Sequence, residues 1–382
     1  MQKAYKLHGI HKHYDWGGTH FIPQLMQVQN TVNQPYAEYW MGDHPSGPSI
    51  IKTELGDSSI GQFLGNEGLP YLFKILDVAK MLSIQVHPTI ENAIKGFELE
   101  EAKSIAIDAP HRNYKDKNHK PEVMVALSDF WLLHGFLAPE LLEKRLQENV
   151  YLNSLLDHFR GADYRGLYSH FMQLSSQETD LILKPLMMDA VKRVESGEVN
   201  KTHPHWWAHK YYNGVVPNEK IDKGIFSIYI LNIVQVAKYE GVFQGAGLLH
   251  AYLEGQNIEL MANSDNVLRG GLTTKHVDVN ELIDHVKFEP TYPHVLKGNV
   301  LNDFETNYPC PVADFGLSKI VLNKGETYTI NAVSLEMLLC MEGQVALDSF
   351  VIAAGEVAMV PDNQSIELKA NTFSVLFRSF VP

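Results

Sequence analysis

Short apolar runs dominate both ends of this chain, while the middle carries apolar residues at helical spacing. Runs such as Tyr71-Leu-Phe-Lys-Ile-Leu76 and Met81-Leu-Ser-Ile-Gln-Val86, broken by Gly and Pro, fill the segment up to about Phe136 and predict strands. From about Ala138 to Gly224 the pattern turns helical. Pro139 opens one helix with Glu140 in its first turn. Ser175-Ser-Gln-Glu178 reads as a capping box for another, and Ile182, Leu186, Met187, Ala190, Val191 and Val194 recur three or four apart before Gly197. Strand character returns over Phe226-Ser-Ile-Tyr-Ile-Leu-Asn-Ile-Val-Gln-Val236. A last block, from about Pro311 to Pro382, carries turn signals at Asn323-Lys-Gly-Glu, Glu342-Gly343 and Ala354-Gly355, a rhythm that suits a small jelly roll or barrel. The expected architecture is mainly β. One β unit is built from 1–136 and 225–292, with an α-helical insertion at 137–224 and a second β unit at 293–382.

Polar side chains interrupt these apolar runs at a few places. Leu82-Ser-Ile-Gln-Val-His-Pro88 puts Gln85 and His87 on one face of a strand, and Leu249-His-Ala-Tyr-Leu253 does the same for His250 and Tyr252. Asn118-His-Lys-Pro-Glu122 is a polar turn in which Lys120 and Glu122 point together if the chain is extended before Pro121. If Glu254-Gly-Gln-Asn257 closes a hairpin, Tyr252 pairs with Glu259 and His250 with Met261, so His250, Tyr252 and Glu259 share a cavity. Two imidazoles, a carboxylate and an amide oxygen without a thiol suit a hard-to-borderline divalent metal, zinc among them. The expected ligands are Gln85, His87, Glu122 and His250, with Ser83, Lys120, Tyr252 and Glu259 close by. The polar stretch Met261-Ala-Asn-Ser-Asp-Asn-Val-Leu-Arg269 adds Arg269, and Lys275 follows it.

Composition narrows the picture. A chain of 382 residues exceeds the usual single core, so two or three domains are expected. Only Cys310 and Cys340 are present, which argues against a disulfide scaffold and fits a reducing cytosol. The N-terminal residues have no signal-peptide core, and no apolar run is long enough to span a membrane. A net charge of −13 makes nucleic acid an unsuitable partner and means that an anionic ligand needs a local basic pocket.

Six stretches together resemble one family. Tyr14-Asp-Trp-Gly-Gly18, Ala37-Glu-Tyr-Trp-Met-Gly42 with His44-Pro45, and Leu69-Pro-Tyr-Leu-Phe-Lys74 come first. Leu82-Ser-Ile-Gln-Val-His-Pro88, Asn118-His-Lys-Pro-Glu122 and Ala262-Asn-Ser-Asp-Asn-Val-Leu-Arg-Gly-Gly-Leu272 follow. In order and kind they look like the motifs of type I mannose-6-phosphate isomerases. The resemblance implies cupin jelly-roll barrels, one catalytic and one C-terminal. It implies one Zn2+ per chain on Gln85, His87, Glu122 and His250, and reversible interconversion of mannose 6-phosphate and fructose 6-phosphate in mannose use or GDP-mannose synthesis. Arg269 matches the family's active-site arginine. The corresponding roles are catalytic for Arg269, Lys120 and Glu259, and substrate-binding for Ser83, Tyr252 and Lys275. A cytoplasmic monomer or weak homo-oligomer is expected, with a small phosphosugar as its partner. Three departures bear on loop geometry: Ala237-Lys-Tyr-Glu-Gly241 replaces a Pro-Gly-Glu turn, Val123 follows Glu122 where Met is common, and Leu249 stands where proline is usual.

The chemistry of such an isomerisation accounts for the residue types. A proton leaves carbon beside a carbonyl and returns one carbon over through an enediol, so cations near the oxygens and a positioned base both lower the barrier. Glu259, His119, Lys120 and Asp265 are the candidate bases. The remaining histidines have plainer readings: His11, His13, His203 and His205 as packing or surface groups, His44 as a turn stabiliser. Two rival classes use the same residues. One is an iron or manganese oxygenase on His87, Glu122 and His250, which leaves Gln85 and Arg269 unexplained. The other is a non-catalytic sugar-binding protein.

Overall fold

The computed structural model describes residues 3–53, 56–65 and 68–382. Its framework is antiparallel: one ten-stranded sheet, one nine-stranded sheet and a four-stranded sheet. The ten-stranded sheet holds the predicted metal ligands. Its strands are β1 (Ile10–Lys12), β2 (Glu38–Gly42), β3 (Tyr71–Val78), β4 (Ile84–Val86), β5 (Glu122–Ala126), β6 (Phe130–Phe136), β7 (Leu231–Val236), β8 (Gly241–Gln244), β9 (His250–Ala262) and β10 (Leu268–Gly271). The main path runs β7-β6-β9-β3-β2-β1; β4 and β5 also pair with β9, β10 pairs with β4, and β8 with β5.

Strand β9 organises everything else, and it corrects the expected hairpin. The chain does not turn at Gly255 but continues as one strand of 13 residues. Its first half pairs with β6 and, at His250, with β4; its second half pairs with β3 and β5. Gly255 has φ +124, a conformation open to glycine, and an added Cβ there would lie 2.7 Å from the Phe130 ring and 2.8 Å from the Asp129 carbonyl oxygen. The pairing with β6 shifts register between Tyr252 and Glu254, just before this point. Tyr252 and Glu259 still meet, Oη donating to Oε2 at 2.8 Å, although no hairpin joins them.

Helices occupy the middle of the chain: α2 (Pro139–Glu148), α3 (Tyr164–Gln173), α4 (Ser176–Glu195), α5 (Pro204–Tyr211) and α6 (Gly224–Ile230), with α1 (Ile90–Ala102) earlier. The Ser175 capping box forms as expected, its hydroxyl accepting from the Glu178 amide while Glu178 reaches back to the Ser175 amide. The strand expected from Phe226 begins only at Leu231, because Gly224–Ile230 is helical. A fully apolar run carries no periodicity to separate helix from strand, and every residue of α6 is buried. These helices share a core with the sheet through Phe136, Leu142, Phe171, Leu186, Trp207 and Phe226. The nine-stranded sheet crosses the expected boundary at 293: Tyr5–His8 pairs with Val357–Val360, and Ile50–Thr53 and Gly56–Ser59 extend the same edge. Among the described residues no helix is long and apolar enough to cross a membrane.

Candidate metal centre

Register brings the predicted ligands to one place. Gln85 of β4 lies directly opposite His250 of β9 on one side and Arg269 of β10 on the other. Opposed residues share a face, so all three side chains leave the sheet in the same direction. His87 stands one residue past β4, and Glu122 begins β5. Ligand atoms of His87, Glu122 and His250 all lie within 4.8 Å of one another. His87 Nε2 is 3.3 Å from Glu122 Oε1, and His250 Nε2 is 3.4 Å from Oε2. The imidazoles are aimed by their far nitrogens: His87 Nδ1 meets the Asn266 carbonyl at 2.8 Å and His250 Nδ1 the Leu248 carbonyl at 2.9 Å. Each carbonyl accepts a proton from Nδ1, which leaves both Nε2 lone pairs facing the carboxylate.

The centre is dry and unsatisfied. His87 and His250 are fully buried, and His87 Nε2, His250 Nε2 and Glu122 Oε2 have no hydrogen-bond partner. Buried polar atoms in that state cost free energy unless something converges on them. Three such atoms from two imidazoles and a carboxylate, beside an amide at Gln85, fit one divalent cation of the zinc type. Burial pushes the His87 imidazole down to about 4, so it is a neutral donor at physiological pH. Burial alone would raise Glu122, but Lys120 and then His87 hold it well below the usual carboxylate range.

A second buried cluster adjoins the first. Lys74 of β3 faces Glu259 of β9 across the ladder, Nζ to Oε1 at 3.0 Å, with Glu38 Oε2 at 3.9 Å. Burial would lower the ammonium, yet Glu259, Glu38 and Glu122 together keep it above its ordinary value. Burial raises Glu259 despite Lys74, and it raises the Tyr252 hydroxyl, with Glu259 adding to the effect. Sequence reasoning did not assign Lys74 to the site. The signal was a lysine inside the otherwise apolar run Tyr71–Leu76, which must have an acid partner to be buried. Gln244 was missed as well: it lies opposite Glu122 and is fully buried with both amide atoms unpaired.

The other predicted residues divide between cleft and centre. Ser83, Gln85, Arg269 and Lys275 line a cleft of about 520 Å3 with Lys80, Asp15 and Lys210, the last paired with Glu254. Lys275 is exposed at its rim. Lys120 sits in the centre, Nζ 3.3 Å from Glu122 Oε1. His119 points elsewhere, Nε2 lying 3.1 Å from the Asp314 carboxylate of the C-terminal segment. Asp265 pairs with His44 Nε2 at 3.3 Å, and His44 Nδ1 accepts from the Ser46 amide as a turn stabiliser. His203 caps α5, and His205 packs inside against Tyr229 and Asp189.

Fold and site define a class: an antiparallel β protein with a buried nitrogen–oxygen centre for one metal ion, opening on a cation-lined cleft. Residues 4–138 match the family model of the phosphomannose isomerase type I catalytic domain. The mannose-6-phosphate isomerase of Escherichia coli is 35% identical over 93% of this chain and 94% of its own length. That of Salmonella typhimurium is 34% identical over the same shares. A zinc-bound mannose 6-phosphate isomerase structure superposes with a TM-score of 0.86 at 30% identity, covering 100% of both chains. This chain belongs to the type I mannose-6-phosphate isomerase family.

Proposed function

We propose that this protein is a zinc-dependent isomerase that interconverts mannose 6-phosphate and fructose 6-phosphate. The observation that carries the reading is the set of unpartnered buried atoms on His87, Glu122 and His250, set in register with Gln85 and Arg269. Gln85, His87, Glu122 and His250 are the ligands in this reading, and the bound ion supplies Lewis acidity toward the sugar oxygens. Arg269, on the same face as Gln85, stabilises the charge that develops on those oxygens. Glu259, raised by burial and hydrogen-bonded to Tyr252, moves the proton between the two carbons, with Lys120 beside Glu122 as its charged neighbour. Tyr252 contacts a sugar hydroxyl, while Ser83 and Lys275 take the phosphate and so position the reacting end.

The same reading assigns a cupin jelly roll to 1–136 and 225–292, a helical insertion to 137–224 and a second jelly roll to 293–382, the last completed by Tyr5–His8, Ile50–Thr53 and Gly56–Ser59 on its sheet edge. It takes the chain as a cytoplasmic monomer or weak homo-oligomer with no nucleic-acid partner. The test is a coupled assay with mannose 6-phosphate, without nucleotide or oxygen, on protein of measured metal content. Turnover should require zinc and vanish with His87→Ala, Glu122→Ala or His250→Ala together with the metal. Zinc-loaded protein that binds the sugar phosphate without converting it would defeat the catalytic reading.

A further inference from the structure

A second cavity, of about 420 Å3, opens among the helices, away from Gln85 and Arg269. It is walled by α2, by α4, by the start of α5 and by Tyr229 of α6. Its size lies within the range of small-molecule sites, roughly 300–1,000 Å3. The charges on its walls do not balance. Glu148 is 3.8 Å from Lys144, and Asp189 is held by Arg193 at 2.9 Å and His205 at 3.3 Å. Arg145 is left over. Its one hydrogen bond among the described residues runs from Nη1 to the Tyr229 carbonyl at 3.2 Å, and no carboxylate among them pairs with it. Burial consequently lowers the guanidinium, with no acid to offset it.

His203 adds a donor beside this charge. Its Nδ1 accepts the His205 amide at 3.2 Å, and burial together with Arg145 and Arg193 disfavours its protonation. A neutral imidazole that accepts at Nδ1 carries its proton on Nε2. The cavity therefore offers a planar fork of guanidinium donors at Arg145 and an imidazole N–H at His203, while Arg193 is held by Asp189 at 2.9 Å and by Glu198 at 3.0 Å. That donor set matches a phosphate group.

We propose that this cavity is a second, non-catalytic site for a small phosphorylated metabolite, with the phosphate bound at Arg145 and His203. The site is connected to the cleft by two helices. α5 starts in the cavity and ends with Lys210 and Tyr211 in the cleft wall. α6 carries Tyr229 at one end, and Asp222, just before its start, accepts from the Leu272 and Thr273 amides beyond Arg269. Occupancy of the cavity is therefore felt in the cleft as a change in catalysis that substrate does not reverse.

Equilibrium dialysis of the full-length, zinc-loaded protein against inorganic phosphate tests this, with a second variant in case Arg145→Met folds poorly. Two bound phosphates per chain are expected in the wild type, one in the cleft and one here. Arg145→Met should weaken the second by about tenfold or more, the scale of a lost charge-assisted contact. Lys144→Glu, at an exposed position on the rim, should weaken it similarly by setting a carboxylate beside Arg145. Lys275→Met should leave it unchanged. In the coupled assay, phosphate inhibition should keep a component that saturating mannose 6-phosphate does not remove, and Arg145→Met should abolish that component. Phosphate binding indifferent to both helical variants, or purely competitive inhibition, would each overturn the proposal. The response of phosphate binding to Arg145→Met and Lys144→Glu depends neither on turnover nor on the cleft, so it stands apart from the catalytic reading.

Discussion

Arg269 and Lys74 are cations near the same centre with different work to do. Arg269 is half-buried at the cleft and has no acid partner among its named contacts, so its donors are free for ligand oxygens. Arg269→Ala should lower kcat by about 10²–10³-fold, the usual scale for one preorganised stabiliser of developing charge. Arg269→Lys should recover only part of this, lacking the planar fork. A raised KM with unchanged kcat would move Arg269 to ground-state binding. Lys74 is locked between Glu259 and Glu38, and its removal leaves buried carboxylates uncompensated. Lys74→Met should cost about 3–5 kcal/mol in urea unfolding, and Lys74→Met combined with Glu259→Gln should cost less than the sum of the two. Additive losses would show that the pair does not act as a unit. Gln85, His87 and His250 were legible because each breaks an apolar run at alternate positions, and Glu122 because it ends a polar turn. Lys74 was passed over because its partner Glu259 lies 185 residues away, and a lysine in a strand reads as an edge or surface group until that partner is known.

At the scale of elements, β9 is where sequence reasoning and structure part. The polar residues around Gly255 carry the composition of a turn, and a four-residue loop satisfies every local rule. What overrides it is the sheet: β3 and β5 flank the second half of β9, so straight continuation buries more backbone pairing than a turn would. The glycine supplies the backbone conformation where β9 passes from β6 to β3, and the strand carries His250 and Glu259 to adjoining clusters. Gly255→Ala should therefore cost more than strain alone. Gly197, at φ +73 after α4, has open space where a Cβ would go, so Gly197→Ala serves as the control. The control should lose on the order of 1 kcal/mol from its backbone conformation. Gly255→Ala should lose clearly more, since the Phe130 ring and the Asp129 carbonyl must also move, and its zinc affinity should fall. Equal losses in the two variants would mean that the backbone at Gly255 is not held by its neighbours. The capping box of α4 was legible for the opposite reason, since all its contacts lie within four residues.

At the scale of the whole molecule, burial of histidine sets how the metal-free protein responds to acid. His87, His134 and His205 are each buried, and burial first of all pushes each down to about 4 from an ordinary 6.5. A histidine lowered in the folded state takes up its proton first in the unfolded chain, so its stabilisation is complete above about 6.5 and is lost as pH falls toward 4. Glu122, lowered by its cations, contributes stability that is present above 4.5 and is lost below it. Glu259 is raised, so the folded state binds its proton more readily and it opposes the loss in the acid range. Six lowered histidines, with His11, His170 and His203 beside His87, His134 and His205, stand against three raised carboxylates, Asp43, Asp77 and Glu259, and give a net fall between pH 6.5 and 4, limited to about 1.4 kcal/mol per pH unit for each group. Urea midpoints of chelator-treated protein, measured from pH 8 to 4.5, should hold steady down to about 6.5 and then decline. Zinc should delay the decline, because protons and metal compete for the same imidazole at His87. His134→Gln should make it shallower in the metal-free protein, since this residue faces His250 across the sheet and its Nδ1 has no hydrogen-bond partner. Midpoints that stay flat from pH 6.5 to 4.5 would show that these imidazoles are protonated in the folded chain and that the centre is wetter than its burial implies.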